Sequence, residues 1–147
     1  MSGNAVKLHR VFKAIPERVY RAFLEPDAVC KWLPAHDFTG KVHHIDAKVG
    51  GSFKMSFANF GTGQSHSYGG TYLELVRNEP IVRTDQFDDP QLPGTMRTTI
   101  ALRKVLLGTE VDITQEGIPE AIPLDGCYLG WQESLGLLKQ FVEADIP

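Results

Sequence analysis

Histidines and carboxylates are the side chains of this sequence that could transfer protons or bind a metal ion. The five histidines are His9, His36, His43, His44 and His66. His43 and His44 are adjacent in a predicted strand, so their rings point to opposite faces and cannot chelate one ion. The two cysteines lie far apart in the chain and make no metal-ligand spacing. The pattern therefore predicts no metal site, and nothing in it indicates a cofactor.

Three polar residues are the candidates for acid–base chemistry. His36 follows a tryptophan in a predicted loop, where it could form the rim of a pocket. Asp85 lies within a predicted strand and would have a perturbed pKa if it pointed inward beside a histidine. With His66, these groups could perform proton transfer in an enzyme. No catalytic set is predicted, because no serine has a Gly-x-Ser-x-Gly context and neither cysteine has an activating neighbour.

Large aromatic side chains are a second group, and their chemistry is the binding of apolar molecules. Apolar pockets that bind ligands are lined mainly by such side chains. We expect a cavity between a C-terminal helix and the strands before it, lined by Trp32, Phe57, Tyr72, Tyr128, Trp131 and Leu135.

A C-terminal helix over residues 124–145 must position several of these residues. Apolar residues recur along it in steps of four and three, which places them on one stripe. The stripe consists of Leu124, Tyr128, Trp131, Leu135, Leu138 and Val142. Two amphipathic rings, Tyr128 and Trp131, suit a pocket wall better than a tight core. Gln132 is predicted to face solvent, and Cys127 to be less accessible than Cys30.

The elements before this helix read as strands, except near the beginning. Alternating apolar residues at positions 6, 8 and 12 predict a first strand, and Pro16 opens a helix. A second short helix over residues 28–33 ends before a proline. Six strands follow, over residues 39–47, 53–57, 68–76, 81–87, 96–103 and 110–114. Within the third of these six, Gly69-Gly70 indicates a bulge or a close backbone approach.

Composition limits the class of protein. A chain of 147 residues with 42% hydrophobic and 22% charged residues is typical of one globular domain, here residues 1–147. A net charge of −3 without a basic cluster argues against nucleic-acid binding. No apolar run approaches the ~18 residues of a membrane span. Because the first residues do not form a signal peptide, we expect a cytoplasmic protein with reduced cysteines.

The order of one strand, two helices, six strands and one long helix resembles the helix-grip fold of the SRPBCC superfamily, which includes START and birch-allergen-like domains. Within it, the chain is similar to the branch named for the activator of heat-shock-protein-90 ATPase. The matching segments are residues 12–14, 16–23, 31–34, 50–53, 70–74, 108–111 and 130–135. Two departures from the family pattern are Leu33, in place of a second aromatic residue, and Lys48, in place of an arginine. The resemblance implies an α+β fold in which a seven-stranded antiparallel curved sheet wraps a long C-terminal helix.

Three functions remain open at this stage. The favoured one is binding of a small apolar or aromatic ligand between helix and sheet, without chemistry. The second is an enzyme of the cyclase, hydrolase or isomerase type that uses His36, His66 or Asp85. The third is a co-chaperone-like domain that acts by surface contact, as the branch name implies. Homodimerisation stays open as well.

Overall fold

The computed structural model describes residues 4–145. Its strands are β1 (Ala5–Phe12), β2 (Phe38–Ile45), β3 (Ser52–Asn59), β4 (Ser65–Leu75), β5 (Ile81–Phe87), β6 (Met96–Lys104) and β7 (Thr109–Glu116). Its helices are α1 (Pro16–Leu24), α2 (Pro26–Trp32) and α3 (Leu124–Val142). The predicted order of elements is confirmed.

The seven strands form one antiparallel sheet in the order β1-β7-β6-β5-β4-β3-β2. The sheet curls into a half-barrel, and α3 lies in its grip. The predicted α+β helix-grip fold is confirmed. All neighbours except β1 and β7 are consecutive in sequence, so the first strand closes against the last one.

Two of the strand pairs contain a shift in register. The β2–β3 register shifts between Val42 and His44, and the β4–β5 register shifts between Tyr72 and Glu74. At the predicted glycine pair, a Cβ on Gly70 would lie 1.8 Å from the backbone oxygen of Thr84. Only glycine permits this approach of β4 to β5, and the close backbone approach predicted there is confirmed.

The two short helices are locked together by Trp32. In a continuous helix, the N–H of residue 26 would donate to the Ala22 carbonyl. Pro26 has no N–H, so this carbonyl needs another donor. The indole N–H of Trp32 donates to that carbonyl at 2.8 Å. The Trp32 ring also meets Phe23 edge-on, with 4.9 Å between centroids. One side chain thereby satisfies the helix end and fills the space between α1 and α2.

The core side of α3 is narrower than the sequence stripe predicts. Trp131, Leu135, Leu138 and Val142 are buried, as expected. The first two members of the stripe, Leu124 and Tyr128, are 37% and 39% exposed. The stripe is therefore not buried along its whole length, because the first turns of α3 border a cavity and not packed side chains. No helix in the described part of the chain is long and apolar enough to cross a membrane.

Candidate functional site

A cavity of about 280 Å³ lies between the first half of α3 and the concave face of the sheet. The sheet lines it with Phe57, Tyr68, Phe87 and Met96, and the helix with Cys127, Trp131 and Ser134. Phe38 at the start of β2 and the segments that follow α2 and β7 complete the wall, the segments with Leu33, Ile118 and Ile122. The lining is therefore dominated by aromatic and aliphatic side chains, as in ligand pockets of this size class.

Three buried polar residues of the sheet, Arg83, Asp85 and Gln115, interrupt this apolar lining, and a fourth, Thr98, lies beside them. Arg83 and Asp85 lie two residues apart on β5, so their side chains leave the same face of the strand. Cross-strand pairing places Thr98 of β6 opposite Arg83, and Gln115 of β7 opposite Thr98. Each of the four is at most 9% exposed. Strand register thus assembles a polar row across three neighbouring strands under α3.

Hydrogen bonds in this row run in one direction. The Trp131 indole N–H donates to Gln115 Oε1 at 3.0 Å, and Gln115 Nε2 donates to Thr98 Oγ1 at 3.1 Å. The Thr98 hydroxyl donates in turn to Asp85 Oδ2. Gln115 Nε2 also reaches Asp85 Oδ2 at 3.5 Å. The network begins on the helix and ends on one carboxylate oxygen.

The other carboxylate oxygen is arranged differently. Asp85 Oδ1 lies 3.1 Å from Arg83 Nε, which is an ion-pair distance. The N–H is poorly aligned with the oxygen, so within residues 4–145 neither Arg83 Nε nor Asp85 Oδ1 has a well-aligned hydrogen-bond partner. Both atoms are buried, and the two charges compensate each other through this close ion pair.

Burial acts to lower the pKa of the Arg83 guanidinium, but the Asp85 charge and the phenols of Tyr68 and Tyr72 together raise it. Arg83 is therefore a permanent cation at the floor of the cavity, and its guanidinium lies 5.2 Å from the centroid of the Phe53 ring. For the neutral acid Tyr68, burial raises the pKa of the phenol, whose hydroxyl donates to Met55 Sδ at 3.0 Å.

Four residues predicted from the sequence to form the pocket do line this cavity. Phe57 and Trp131 form part of its apolar wall, and Asp85 lies at its floor. His66 contributes at the rim, where its side chain is exposed. Asp85 points inward, as the acid–base hypothesis requires, but its described partners are Arg83 and hydrogen-bond donors of β6 and β7.

Three other predicted lining residues are buried outside the cavity. Trp32 is held between α1 and α2 by the Ala22 carbonyl. Tyr72 packs against Phe53 at 5.4 Å between ring centroids. Leu135 lies one turn after Trp131 on α3, where the helix is buried against the sheet. Each of these side chains has close protein neighbours, which removes it from the lining.

Two more predicted residues lie on the surface. Tyr128 is partly exposed and does not line the cavity, whereas its neighbours Cys127 and Trp131 do. His36 is exposed, with its Nδ1 3.5 Å from Glu133 Oε1, and its backbone N–H donates to the same carboxylate at 3.0 Å. This contact fastens the loop after α2 to α3 and does not reach the cavity.

The sequence analysis did not identify Arg83, Thr98, Gln115, Tyr68 or Cys127 as site residues. A signal for the first three exists. Each occupies the apolar phase of its strand, alternating with buried residues such as Ile81, Ile100 and Ile113. Polar residues in the buried phase of three neighbouring strands indicate a shared polar site, since a buried polar group needs a partner.

One cluster on the outer surface has metal-ligand geometry. Ligand atoms of His9, Glu110 and Asp112 lie within 4.8 Å of one another. Glu110 already accepts hydrogen bonds from His9 and Arg103, which lower its pKa. These contacts explain the cluster as surface ion pairing between β1, β6 and β7.

Comparison with known proteins identifies the family. The model of the Activator of Hsp90 ATPase homolog 1-like protein family matches residues 13–143. The chain belongs to this family. The resemblance drawn from the sequence motifs is thus confirmed. No curated protein sequence matches the chain.

Solved structures agree with the assignment to the Activator of Hsp90 ATPase homolog 1-like family. Protein CV1439 from Chromobacterium violaceum is 56% identical, with a TM-score of 0.95, and the match covers 97% of this chain and 99% of that chain. A Rhodobacter sphaeroides protein shares the fold at 20% identity and a TM-score of 0.84, covering 99% and 97% of the two chains. An AHSA1-like protein from Aeromonas hydrophila does so at 20% identity and 0.76, covering 95% and 92%.

Proposed function

We propose that this protein binds a small, largely apolar ligand in the cavity beneath the first half of α3. The observation that carries the proposal is an aromatic-lined cavity of about 280 Å³ with a few buried polar groups on one side. For scale, an engineered apolar cavity of about 150 Å³ admits benzene. A molecule with one or two rings therefore suits this space.

The enzyme alternative has less support. It would need an inward carboxylate within hydrogen-bond reach of an inward histidine. Asp85 is inward, but the histidine nearest the cavity, His66, is exposed at its rim. Arg83 and Thr98 engage the carboxylate instead.

A surface-contact function is the second candidate, and one specific observation favours it. The first turns of α3 expose Leu124, Tyr128 and Leu129, and its last turn exposes Phe141. Exposed apolar side chains that lie close together, like the first three, are a feature of protein-contact surfaces. This candidate would lead if the cavity binds nothing.

The test uses the two tryptophans, since Trp131 lines the cavity and Trp32 does not. Bromocyclohexane is an apolar heavy-atom quencher of suitable size. In the Trp32→Phe variant, which retains Trp131, we expect saturable quenching of indole fluorescence. In the matched Trp131→Phe variant, which retains Trp32, we expect only the weak linear quenching of a buried indole. The melting temperature of the wild type should rise with ligand concentration.

Near-ultraviolet circular dichroism of both variants serves as the control for folding. Equal quenching of Trp32 and Trp131 would place the ligand elsewhere. If neither bromocyclohexane nor larger aromatic hydrocarbons alters the fluorescence or the melting temperature, the binding proposal is wrong.

A further inference from the structure

The turn that joins β6 to β7 presents two leucines to the solvent. Leu106 and Leu107 occupy its two central positions, and the Gly108 N–H closes the turn by donating to the Val105 carbonyl at 3.1 Å. Glycine, asparagine and aspartate are the usual residues at such positions. Leu106 is nevertheless fully exposed, and Leu107 is 58% exposed. Two large apolar side chains therefore protrude where hairpin turns normally carry small or polar residues.

A third exposed apolar side chain lies beside this turn. The Thr109 hydroxyl donates to the Ala14 carbonyl at 2.6 Å, which holds the segment after β1 against the end of the β6–β7 hairpin. The next residue of that segment, Ile15, is 63% exposed. Ile15, Leu106 and Leu107 together form an apolar tip at this end of the molecule. None of the three lines the cavity beneath α3.

Basic side chains surround the apolar tip. Lys104 and Arg77 border the same surface depression as Ile15. Both are exposed, and neither forms an ion pair with a carboxylate among residues 4–145. Lys13, two residues before Ile15, is exposed as well. Three cationic side chains thus lie around the three apolar ones.

Acidic residues at this end of the molecule compensate little of that charge. The neighbouring acids already have ion-pair partners, namely Glu17 with Arg21, Glu110 with Arg103, and Glu143 with Lys139. Glu79 is the other carboxylate at the depression. The charge around the apolar tip is therefore positive, although the whole chain carries a net charge of −3.

An anionic lipid surface fits this combination better than a protein partner does. Three apolar side chains on a protruding turn are few beside the roughly 20–30 residues that each side of a stable protein interface contributes. A bilayer accepts a few apolar side chains at its head-group boundary, and its anionic lipids attract nearby lysine and arginine. The hydrogen bonds between Val105 and Gly108 also satisfy backbone groups of the turn, which lowers the cost of entering lipid.

We propose that the apolar tip binds reversibly to anionic lipid bilayers. Leu106 and Leu107 enter the head-group region, and Lys104 and Arg77 lie against lipid phosphates. Because the tip is separate from the cavity, this function does not depend on ligand binding beneath α3. Few side chains take part, so the attachment is peripheral and sensitive to salt.

Co-sedimentation with lipid vesicles at neutral pH tests the proposal. The wild type should bind vesicles made of equal parts of phosphatidylcholine and phosphatidylglycerol. It should bind vesicles of phosphatidylcholine alone at least about tenfold more weakly, because the attraction of the basic residues is lost. Added salt should weaken binding to the mixed vesicles, since it screens exposed charges.

A pair of double variants locates the apolar contact. Leu106→Ser with Leu107→Ser should weaken binding to the mixed vesicles at least about tenfold, because the apolar area that enters the bilayer is removed. The matched control is Leu124→Ser with Leu129→Ser, which removes two exposed leucines from α3. The control should bind like the wild type.

A pair of single variants locates the charge contact. Lys104→Gln should weaken binding to the mixed vesicles by about fivefold. Lys31→Gln, which removes an exposed lysine from α2, should leave the binding unchanged. Melting temperatures report whether each variant folds. Should the double variant of the tip not fold, Leu106→Ser alone takes its place.

Three results would overturn the proposal. The first is absence of wild-type binding to the mixed vesicles, and the second is equal binding to both kinds of vesicle. The third is unchanged binding of the tip variant. If the wild type instead forms a dimer in sedimentation equilibrium and the tip variant does not, the apolar tip contacts a second copy of the chain and not lipid.

Discussion

At the scale of single residues, Arg83 and Asp85 are the least expected feature of the interior. Removing a charged pair from water costs several kcal/mol per ion, and the mutual attraction repays this only with good geometry and further hydrogen bonds. Asp85 has such bonds through Thr98 and Gln115, whereas Arg83 Nε does not. The pair is therefore a poor source of stability.

The stability of this pair is testable by a double-mutant cycle. Arg83→Met should lower the free energy of unfolding by about 3–5 kcal/mol, because it leaves the Asp85 carboxylate uncompensated. Adding Asp85→Leu should recover a large part of that loss, since no lone charge stays buried. Urea denaturation provides the measurement, and Arg97→Met, at an exposed position of β6, should change stability by less than about 0.5 kcal/mol. A double variant less stable than the single one would contradict the interpretation.

The Cys127 thiol gives a second residue-scale prediction. It lines the cavity, its Sγ lies 3.5 Å from Gln115 Oε1, and burial raises its pKa. Its alkylation by iodoacetamide should therefore rise with pH around a midpoint above the ordinary value of about 8.5. Saturating isopropylnaphthalene should slow the labelling of Cys127 but not that of Cys30. Equal protection of the two thiols would argue against a ligand beneath α3.

At the scale of elements, α3 is a helix with two different halves. Its second half buries Leu135, Leu138 and Val142 completely or nearly so. Its first half covers the cavity, and hydrogen bonds hold it in place. The Ser134 hydroxyl donates to the Leu33 carbonyl at 2.6 Å, which satisfies an acceptor at the end of α2. The helix is thus fixed at a distance from the sheet that leaves the cavity open.

Two rings one turn apart on α3 test this arrangement. Trp131 is nearly buried and donates to Gln115, so Trp131→Ala should cost about 3–5 kcal/mol of unfolding free energy. Tyr128→Ala, the matched truncation of a partly exposed ring, should cost less than about 1 kcal/mol. Chemical denaturation of both variants provides the comparison. Similar losses at the two positions would mean that the helix faces the sheet in another phase.

At the scale of the whole molecule, hydrogen bonds join the middle and the end of α3 to residues near the beginning of the described chain. Arg10 Nη2 donates to Gln132 Oε1 at 2.7 Å, and Arg18 Nη1 donates to the Val142 carbonyl at 3.0 Å. Gln132, predicted to face solvent, is half-buried by this contact. The Lys13 backbone N–H donates to Glu143 Oε2 at 3.0 Å. Together with the β1–β7 pairing, these contacts close the grip around the helix.

Glu143 makes this closure sensitive to acid. Hydrogen bonds from the Lys139 ammonium and the Lys13 backbone N–H lower the pKa of its carboxyl group. A lowered pKa contributes stability above the unfolded value of about 4.3, and that contribution is lost as the pH falls through the folded value. Glu143→Gln should therefore lower the melting temperature near neutral pH, and its difference from the wild type should vanish in acid. Glu79→Gln, at an exposed site, is the control, and a difference that persists below pH ~3 would contradict the prediction.

Local patterns in the sequence were sufficient to predict the order of elements, and the resemblance to a family implied the curved sheet. Period-two alternation in Ser52–Asn59 and Met96–Lys104 predicts strands, and the four-three spacing of Trp131, Leu135 and Leu138 predicts the buried face of α3. Proline positions define the two short helices. These signals are local because backbone sterics and side-chain alternation act over a few residues.

The cavity depends on contacts that sequence spacing does not encode. The stripe assigned Tyr128 and Leu135 to the pocket wall, yet one is exposed and the other packs in the core. Trp32 is likewise aromatic and buried, but its hydrogen bond to the Ala22 carbonyl holds it between α1 and α2, outside the cavity. The distance between helix and sheet decides which inward residues line a space and which fill it.

The sequence by itself determined the order of elements, the curved antiparallel sheet with its closing helix and, through its motifs, the family. Only the tertiary structure decided that Arg83, Thr98 and Gln115 meet in one row and that the hydrogen bonds of this row end on the buried Asp85 carboxylate beneath α3. The physical reason is register. Residues far apart in the chain become neighbours only when three strands pair in one alignment, and a shift by one residue would turn these side chains to the opposite face.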